Sequence, residues 1–233
     1  MTSLVCGAKI NLSLHIGKKL SDGLHELQSI FLPLPHPADR LFIELADGSG
    51  TTLKSNQPEL ENPSNLLLRA YRLFGQESGC WPGIRLFLQK GIPQGAGLGG
   101  GSSDAGAFLN WLNSMAPVPL TKENLLKIAL LAGSDVPFFL SPEPALVEGR
   151  GERMSPIRFH GSPCYIVLVW PGIHVSTKAI FDALDAGRQN GSAEKGLTKP
   201  HEQTTRITFT RAASTKVESV EMRNDLEAPA FQA

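Results

Sequence analysis

A run of glycines between residues 95 and 101 is the strongest chemical signal in the 233-residue chain. Five of these seven positions are glycine, which lets the backbone approach a ligand closely and adopt positive φ angles. Ser102, Ser103 and Asp104 follow and open a stretch with helical apolar periodicity. Because the first turn of a helix offers unpaired N–H groups and the positive end of its dipole, the run predicts a phosphate-binding loop. The alternative is a flexible loop capped by serine.

The pattern of the glycines can be compared with the known kinds of phosphate loop. A Walker loop needs Gly-Lys-Ser or Gly-Lys-Thr, and no lysine follows these glycines. Gly95, Gly97 and Gly100 match the dinucleotide pattern GxGxxG, but Pro93 interrupts the approach to the turn. That pattern also needs an acid about 20 residues later, and the candidate, Glu123, lies at the head of the next predicted helix. A dinucleotide site is the less favoured interpretation.

The amino-terminal segment predicts a strand with two polar side chains on one face. Apolar residues alternate with polar ones from Ala8 to Ile16, which is the period of two that strands show. Lys9 and Asn11 therefore project from the same face, opposite the apolar set. Taken alone, Lys9 is better explained as a solvated residue on the outer face of an edge strand.

Further elements follow from periodicity and turn residues. Strands are predicted over residues 29–34, 41–45, 84–88, 145–148 and 164–170. The last of these is predicted to be buried because it contains the best apolar run of the chain. Helices are predicted from Leu66 to a stop at Gly79, after the glycine run, over residues 122–131 and over residues 176–184. Residues 47–50 predict a hairpin loop, and residues 187–225, poor in large apolar side chains, predict a long loop or disorder.

Composition and charge exclude several classes of protein. The residues AVILMFWYC make up 41% of the chain, which is typical of a globular protein. Lys plus Arg and Asp plus Glu both number 22, so there is no electrostatic footprint for nucleic acid or an anionic membrane. Cys6, Cys80 and Cys164 are too widely spaced for a structural zinc or a disulfide framework. With no signal peptide and no membrane-spanning apolar run, we expect a cytoplasmic protein.

The longer string that includes the glycine run resembles the phosphate loop of the GHMP kinases. It reads Pro93-Gln-Gly-Ala-Gly-Leu-Gly-Gly-Gly-Ser-Ser-Asp-Ala105. Two more stretches are similar to signatures of one branch of that family: Ala8-Lys-Ile-Asn-Leu-Ser-Leu14 with Ser21-Asp-Gly-Leu-His-Glu-Leu27, and Gly133-Ser-Asp-Val-Pro-Phe-Phe139. The segment Gly149-Arg-Gly-Glu152 also fits. Separate motifs in the family's order make a chance match improbable.

The resemblance implies a catalytic pair. Asp135 would act as the base on the substrate hydroxyl, and Lys9 would pair with it. A carboxylate that takes the proton of a poorly nucleophilic alcohol accelerates the reaction roughly 10²–10⁴-fold. The lysine would keep that carboxylate ionised and offset charge on the transferring phosphoryl group. Taken alone, Asp135 is better explained as a cap of a helix or turn.

The resemblance also implies the residues that bind ATP. Asn65 and Lys90 match positions beside the adenine, and Asn65 is at the same time a candidate N-cap of the helix that follows. The remaining positions belong to the glycine-rich loop: Pro93, Gly95, Ala96, Gly97, Leu98, Gly99, Gly100, Gly101, Ser102 and Ser103. Mg²⁺ is expected because ATP arrives as its magnesium complex, with Ser103 near the metal and most ligands from phosphates and water.

Four residues resemble the substrate-binding positions of the family: Asn11, His25, Thr177 and Phe181. A histidine can hydrogen-bond the edge of a cytosine, and an aromatic ring can stack on its face. Leu24 stands where the family usually has tyrosine, so a stacking ring and its hydroxyl are lost. The alternatives are a satisfied turn histidine for His25 and a core position in a short helix for Phe181.

The resemblance implies an α+β fold with two domains. Residues 1–158 would form the ATP-binding domain of the GHMP kinase fold, similar to ribosomal protein S5 domain 2. Residues 159–233 would form an incomplete ferredoxin-like α/β domain. A third glycine-rich motif of the family has no counterpart, since no glycine follows Gly196.

The implied function is ATP-dependent phosphorylation of the 2-hydroxyl of a small sugar alcohol that carries a cytidine diphosphate, in non-mevalonate isoprenoid biosynthesis. Leu24 leaves open a kinase of this type that acts on another small alcohol. The missing third motif leaves open an inactive nucleotide-binding protein. The expected partner is the small-molecule substrate, without nucleic acid or membrane, and the expected state is a monomer or homodimer.

Overall fold

The computed structural model describes residues 1–21, 23–160, 165–172, 176–189, 206–211, 214 and 216–231. These residues form strands β1 (Thr2–Lys19), β2 (His25–Ala46), β3 (Thr51–Ser55), β4 (Gly83–Gln89), β5 (Ala145–Gly149), β6 (Arg153–Phe159), β7 (Arg206–Arg211) and β8 (Val217–Glu221). The α-helices are α1 (Leu66–Ser78), α2 (Gly100–Met115), α3 (Lys122–Ala132), α4 (Thr177–Gln189) and α5 (Glu227–Ala230). Short 3₁₀ helices occupy Pro58–Leu60 and Val136–Leu140. This content confirms the predicted α+β class.

The chain divides into two compact units. The first unit comprises residues 1–9, 33–93 and 98–142, and the second comprises residues 10–32, 94–97 and 143–233. Both β1 and β2 therefore contribute residues to each unit. The predicted domain boundary after residue 158 stays a prediction.

The first unit packs helices on a small mixed sheet. Its strands lie in the order β3, β4, β2, with β4 antiparallel to β2 and parallel to β3. Cross-strand partners Leu41 and Leu88, like Ile43 and Leu86, are both buried, so one face of the sheet is apolar. The same core takes in buried residues of α1, α2 and α3, among them Phe108. This packing fixes the helices that carry the glycine-rich loop and Asn65.

The boundaries of α1 confirm its predicted start and stop signals. The side chain of Asn65 accepts a hydrogen bond from the N–H of Leu67 at 2.9 Å, as an N-cap does. Gly79 follows the last turn with a φ of 71°, in the left-handed conformation that favours glycine at this position.

The second unit is built on an antiparallel meander. The first part of β2 pairs with β5, β5 with β6, β6 with β7 and β7 with β8. Among the described residues, Ile30, Leu146, Ile157 and Phe209 form a buried apolar cluster of this unit. The predicted loop over residues 187–225 therefore includes two strands, β7 and β8, while residues 190–205 lie outside the described residues.

Two predictions around β2 are wrong. Residues 29–34 and 41–45 belong to one continuous strand, because the fixed φ of the intervening prolines is compatible with extended backbone. Residues 47–50 do not close a hairpin, since β4 lies between β2 and β3. β3 instead pairs in parallel with β4, and α1 supplies the crossover that a parallel pair requires.

The predicted buried strand over residues 164–170 is also wrong. The described part, residues 165–170, has no strand conformation. Tyr165, Val167 and Val169 are 101%, 85% and 87% exposed. A strand needs a neighbour that accepts its backbone hydrogen bonds and a surface that covers its side chains. No strand in the described residues pairs with this segment.

Candidate active site

The glycine-rich loop connects β4 to α2 with the backbone that its sequence predicts. Gly95, Gly97 and Gly99 have φ angles of 70°, 73° and 72°, a region that costs other L-residues about 1–2 kcal/mol. Gly99 is the N-cap of α2, and its carbonyl accepts the first helical hydrogen bond, from the N–H of Ser103 at 2.9 Å. The N–H groups between these two residues face out of the helix end, where an anion binds.

Lys9 is held against this loop by the backbone of β1. Its N–H donates to the carbonyl of Leu98 at 2.9 Å, and a Cβ added at Gly99 would lie 3.1 Å from Lys9 Cγ. The Lys9 side chain is only 7% exposed, and its Nζ lies 3.5 Å from Oδ2 of Asp135. The solvated alternative for Lys9 is therefore wrong, and the two residues implied as catalytic lie beside each other and next to the loop.

Asp135 is positioned by the 3₁₀ helix that follows it. Val136, Phe138 and Phe139 are buried, and a Cβ added at Gly106 of α2 would lie 2.7 Å from Phe139 Cβ, so this segment packs closely. The Asp135 side chain makes no capping hydrogen bond, which argues against the cap interpretation. Its carboxylate is 32% exposed and faces an ammonium group. Such a carboxylate can accept a proton from a hydroxyl within hydrogen-bond reach.

Lys90, one of the two residues implied beside the adenine, has a buried side chain between two carboxylates. Its Nζ donates to Asp104 Oδ2 at 3.0 Å and also to Asp39 Oδ2. Burial lowers the pKa of Lys90, but Asp104 and Asp39 outweigh burial and raise that pKa above its ordinary value. Burial raises the pKa of Asp104 to about 7, opposed by Lys90 and reinforced by Asp39. Sequence analysis did not predict this cluster.

Asn65, the other of those two residues, uses its side chain to cap α1. Besides accepting from Leu67, it donates through Nδ2 to the carbonyl of Leu60 at 3.0 Å. Leu66 Cδ1 lies 3.5 Å from the position of a Cβ at Gly101, so α1 begins beside the first turn of α2. The N-cap prediction is confirmed, and the adenine contact of Asn65 stays a prediction.

The other loop residues are exposed or half-buried, except for Ser103, and their contact with ATP stays a prediction. Gly95, Gly97 and Gly101 are exposed, and Pro93, Ala96, Leu98, Gly99, Gly100 and Ser102 are half-buried. Ser103 is 3% exposed in the first turn of α2. The described residues contain no cluster of three or more His, Cys, Asp or Glu side chains able to hold a metal. A magnesium ion bound mainly by phosphates, with the Ser103 hydroxyl nearby, fits this arrangement better than an ion held by a carboxylate cage.

His25 and Phe181 meet in the second unit. The two rings stack with centroids 5.2 Å apart and an angle of 26°. His25 Nε2 lies 2.7 Å from Oδ1 of Asp185, whose Oδ2 accepts from Lys19 Nζ at 2.5 Å. The hydrogen bond from Lys19, followed by that from His25, lowers the pKa of Asp185 below its ordinary value despite partial burial. The structure thus brings together two of the four residues implied to bind substrate.

The other two residues implied to bind substrate are Asn11 and Thr177. Asn11 donates to Ser29 Oγ at 2.8 Å, and Ser29 Oγ in turn donates to the carbonyl of Ser13 at 2.5 Å. Thr177 is the first residue of α4, and its side chain lies outside the described part of the chain. Leu24, which replaces the tyrosine usual in the family, is more than half exposed.

Sequence reasoning missed three charged residues of these sites: Asp39, Asp185 and Lys19. Asp185 could have been found, because it lies four residues after Phe181 on α4 and so shares its helix face. Asp39 and Lys19 carry no local signal. Each acts through a partner that is distant in sequence, which only the fold brings close.

Comparison with known proteins identifies relatives of the chain. Residues 65–142 match the family model described as the GHMP kinases N terminal domain. The 4-diphosphocytidyl-2-C-methyl-D-erythritol kinase of Nitratidesulfovibrio vulgaris is 38% identical over 209 residues, covering 90% of this chain and 73% of the relative. The kinase of that name from Solidesulfovibrio magneticus is 38% identical over 238 residues, covering 100% of this chain and 77% of the relative.

A solved structure supports the same relationship. The crystal structure of a 4-(cytidine 5'-diphospho)-2C-methyl-D-erythritol kinase matches with a TM-score of 0.56 and 36% sequence identity. The match covers 80% of this chain and 72% of that one. In the described residues, no helix is both long enough and apolar enough to cross a membrane.

Proposed function

The chain belongs to the 4-diphosphocytidyl-2-C-methyl-D-erythritol kinase family and is thus a small-molecule kinase, and we propose that it transfers the γ-phosphoryl group of ATP to the 2-hydroxyl of that cytidyl sugar alcohol. The reaction is a step in the synthesis of isoprenoid precursors. The observation that carries this proposal is the Lys9–Asp135 pair, with 3.5 Å between Nζ and Oδ2, next to the glycine-rich loop. The names of the relatives favour the cytidyl substrate over another small alcohol.

In this proposal Asp135 takes the proton of the acceptor hydroxyl as the new P–O bond forms. An alcohol is a weak nucleophile, so a base within hydrogen-bond reach lowers the barrier. Lys9 is the buried cation beside Asp135. Its charge would offset the negative charge on the transferring phosphoryl group.

The loop from Pro93 to Ser103 would bind the phosphates of ATP. Backbone N–H groups at the start of α2 and the positive end of the helix dipole would bind the phosphates without the lysine of a Walker loop. Asn65 and Lys90 would lie beside the adenine. Mg²⁺ bound to the phosphates would supply charge neutralisation, and Ser103 would be the protein hydroxyl near it.

The second unit would recognise the cytidine. His25 offers a ring nitrogen for the cytosine edge, and Phe181 offers a face for stacking. Asn11 and Thr177 complete the proposed substrate set. The pairing of His25 Nε2 with Asp185 supports this role, because it orients the ring.

Three further expectations belong to the same proposal. The cytoplasmic location is supported by the absence of a disulfide pattern among the cysteines. We also propose a monomer or homodimer and a domain boundary after residue 158. Light scattering of the purified chain checks the first of these two, and expression of residues 1–158 as a separate folded domain checks the second.

The test of the proposed function is a coupled assay of ATP consumption with Mg²⁺ and the cytidyl methylerythritol substrate. We expect turnover by the unaltered chain and a loss of roughly 10²–10⁴-fold in kcat for Asp135→Asn. Asp47→Asn is the matched control, because Asp47 is an exposed aspartate in the same unit.

Binding of ATP to Asp135→Asn separates chemistry from folding. We expect nucleotide binding close to that of the unaltered chain. Full turnover by Asp135→Asn would remove this residue from the role of base. Absence of turnover by the unaltered chain, although it is folded and binds ATP, would contradict the proposed function.

A further inference from the structure

The two ends of the glycine-rich loop contact one buried ion cluster. This anchor cluster consists of Asp39, Lys90 and Asp104. At the entry to the loop, Asp39 Oδ1 accepts from the N–H of Gly91 at 2.7 Å and of Ile92 at 2.8 Å. At its exit, Asp104 in the first turns of α2 accepts from Lys90 Nζ at 3.0 Å. Lys90 also donates to Asp39, so one ammonium group joins both ends.

Close packing leaves the anchor cluster little freedom. A Cβ added at Gly100, the first residue of α2, would lie 3.1 Å from both Asp39 Oδ2 and Lys90 Nζ. Asn56 holds the backbone of Lys90 from the other side, since its Oδ1 accepts from the Lys90 N–H at 2.8 Å and its Nδ2 donates to the Lys90 carbonyl at 3.3 Å. The ammonium group, the N–H and the carbonyl of Lys90 are therefore all engaged within the protein.

Stability alone is a poor reason for such a cluster. Asp39 and Asp104 are almost fully buried, and Asp104 Oδ1 has no hydrogen-bond partner among the described residues. Replacing buried ion pairs by apolar residues of similar volume is often neutral or stabilising. We therefore expect these two buried carboxylates and one ammonium group to contribute more to the geometry of the loop than to the free energy of unfolding.

The loop itself cannot supply that geometry. Gly95, Gly97 and Gly99 have no side chains to pack, and glycine gives the backbone its largest conformational freedom. Phosphate-binding N–H groups must stay within a few tenths of an ångström of their productive positions. Apart from the hydrogen bond that Lys9 donates to the carbonyl of Leu98, restraint must therefore come from the two ends.

We propose that Lys90, Asp39 and Asp104 form a positioning group that clamps both ends of the phosphate loop. Lys90, although it would lie beside the adenine, then acts on ATP through the loop, because its ammonium group is already bound to Asp39 and Asp104. The inference rests on the proposed function only for the choice of ATP as ligand, because clamping of the loop can be measured without any nucleotide.

The direct test is hydrogen exchange of the protein without nucleotide, comparing the unaltered chain with Lys90→Met. We expect the amides of Gly91, Ile92 and Ser103 to exchange about tenfold faster or more in the variant, because the ammonium group no longer restrains Asp39 and the start of α2, where these amides make their hydrogen bonds. Amides in the middle of α3 serve as the internal reference. Equal acceleration in α3, or no acceleration at the loop ends, would overturn the positioning role.

The double variant Lys90→Met with Asp104→Asn separates positioning from stability, and it covers the case in which Lys90→Met alone does not fold. It removes one buried charge of each sign. We therefore expect the double variant to regain most of the melting temperature that Lys90→Met alone loses. We expect its affinity for ATP to stay about tenfold weaker and its KM for ATP, but not for the alcohol, to stay raised. Recovery of ATP affinity together with melting temperature would overturn the proposal.

Failure of this inference is distinguishable from failure of the proposed function. If the unaltered chain neither binds ATP nor phosphorylates the alcohol, the proposed function fails. The exchange rates at the loop ends still test whether the anchor cluster clamps the loop. If the unaltered chain is an active kinase and Lys90→Met keeps its loop-end exchange rates, the clamp alone fails.

Discussion

The two compact units hold their candidate ligand-binding residues in different ways. In the first unit, Lys9 and Phe139 both lie against Gly99 at the start of α2, and Asp135 lies beside Lys9. The buried face of α2 belongs to the extended core that contains Phe108. In the second unit, the described contacts of the His25 side chain are a ring stack with Phe181 and a hydrogen bond with Asp185. We therefore expect packing to fix the proposed catalytic pair, and we expect the proposed recognition residues to depend on side-chain contacts that a mutation can remove without unfolding the chain.

The largest expected effect comes from breaking the packing of the first unit. Phe108 is fully buried in the core beneath α2, and we expect Phe108→Ala to cost about 3–5 kcal/mol of stability through lost burial and a cavity. Urea unfolding followed by circular dichroism measures this loss. Val118→Ala, at an exposed position, should stay within about 0.5 kcal/mol. A cost below about 1 kcal/mol for Phe108→Ala would contradict the packing account.

The pH dependence of stability sharpens the comparison, because the first unit contains a buried carboxyl with a raised pKa. The pKa of Asp104 is raised from 3.8 to about 7, mainly by burial. Since the folded chain binds this proton more tightly than the unfolded chain, the contribution of Asp104 is present at low pH and falls as pH rises to about 7. We expect the stability difference between the unaltered chain and Asp104→Asn to change across that range, measured by urea unfolding. Parallel curves would contradict the raised pKa.

A third prediction concerns the backbone of the loop. Gly99→Ala places a Cβ at a φ of 72° and 3.0 Å from the Phe139 ring, so we expect a stability cost of about 1–2 kcal/mol or more and weaker ATP binding. Gly48→Ala is the matched control, because Gly48 has a φ of 81° and nothing within 4 Å of the added Cβ. Calorimetric titration with ATP should separate the two variants. Equal ATP affinities would argue against a role for the backbone at Gly99.

The smallest expected effect is in the second unit. Asp185→Asn weakens the hydrogen bond that orients His25, and we expect the KM for the cytidyl substrate to rise about fivefold with little change in the KM for ATP. The melting temperature should hardly move, because Asp185 lies at the edge of the unit, not in its core. Steady-state kinetics with each substrate varied in turn measure the split. A rise confined to the KM for ATP would contradict the proposal that the second unit binds the cytidyl substrate.

The local parts of the fold and site were predictable because their signals are local. Asn65 and Gly79 mark the ends of α1, and the glycines of the loop predict both its positive φ angles and the helix that follows. Lys9 and Asp135 were implied by motifs, and their pairing follows once β1 and the segment after α3 meet at the loop.

The remaining features depend on partners that are distant in sequence. Turn residues at 47–50 predict a reversal of the chain but not that β4 would lie between β2 and β3. The apolar pattern of residues 165–170 predicts a strand but supplies no neighbour for it. Asp39 and Asp185 look like ordinary charged residues until the fold brings Lys90 to one and His25 to the other.

A double-mutant cycle on Lys9 and Asp135 tests the central claim, that these two side chains act as one unit on the acceptor hydroxyl. The measurement is kcat for Lys9→Met, Asp135→Asn and the double variant, all shown to bind ATP. The account predicts that the double variant is at most a few-fold slower than the slower single variant, because groups that act together are non-additive. A double variant whose loss equals the product of the two single losses would contradict it.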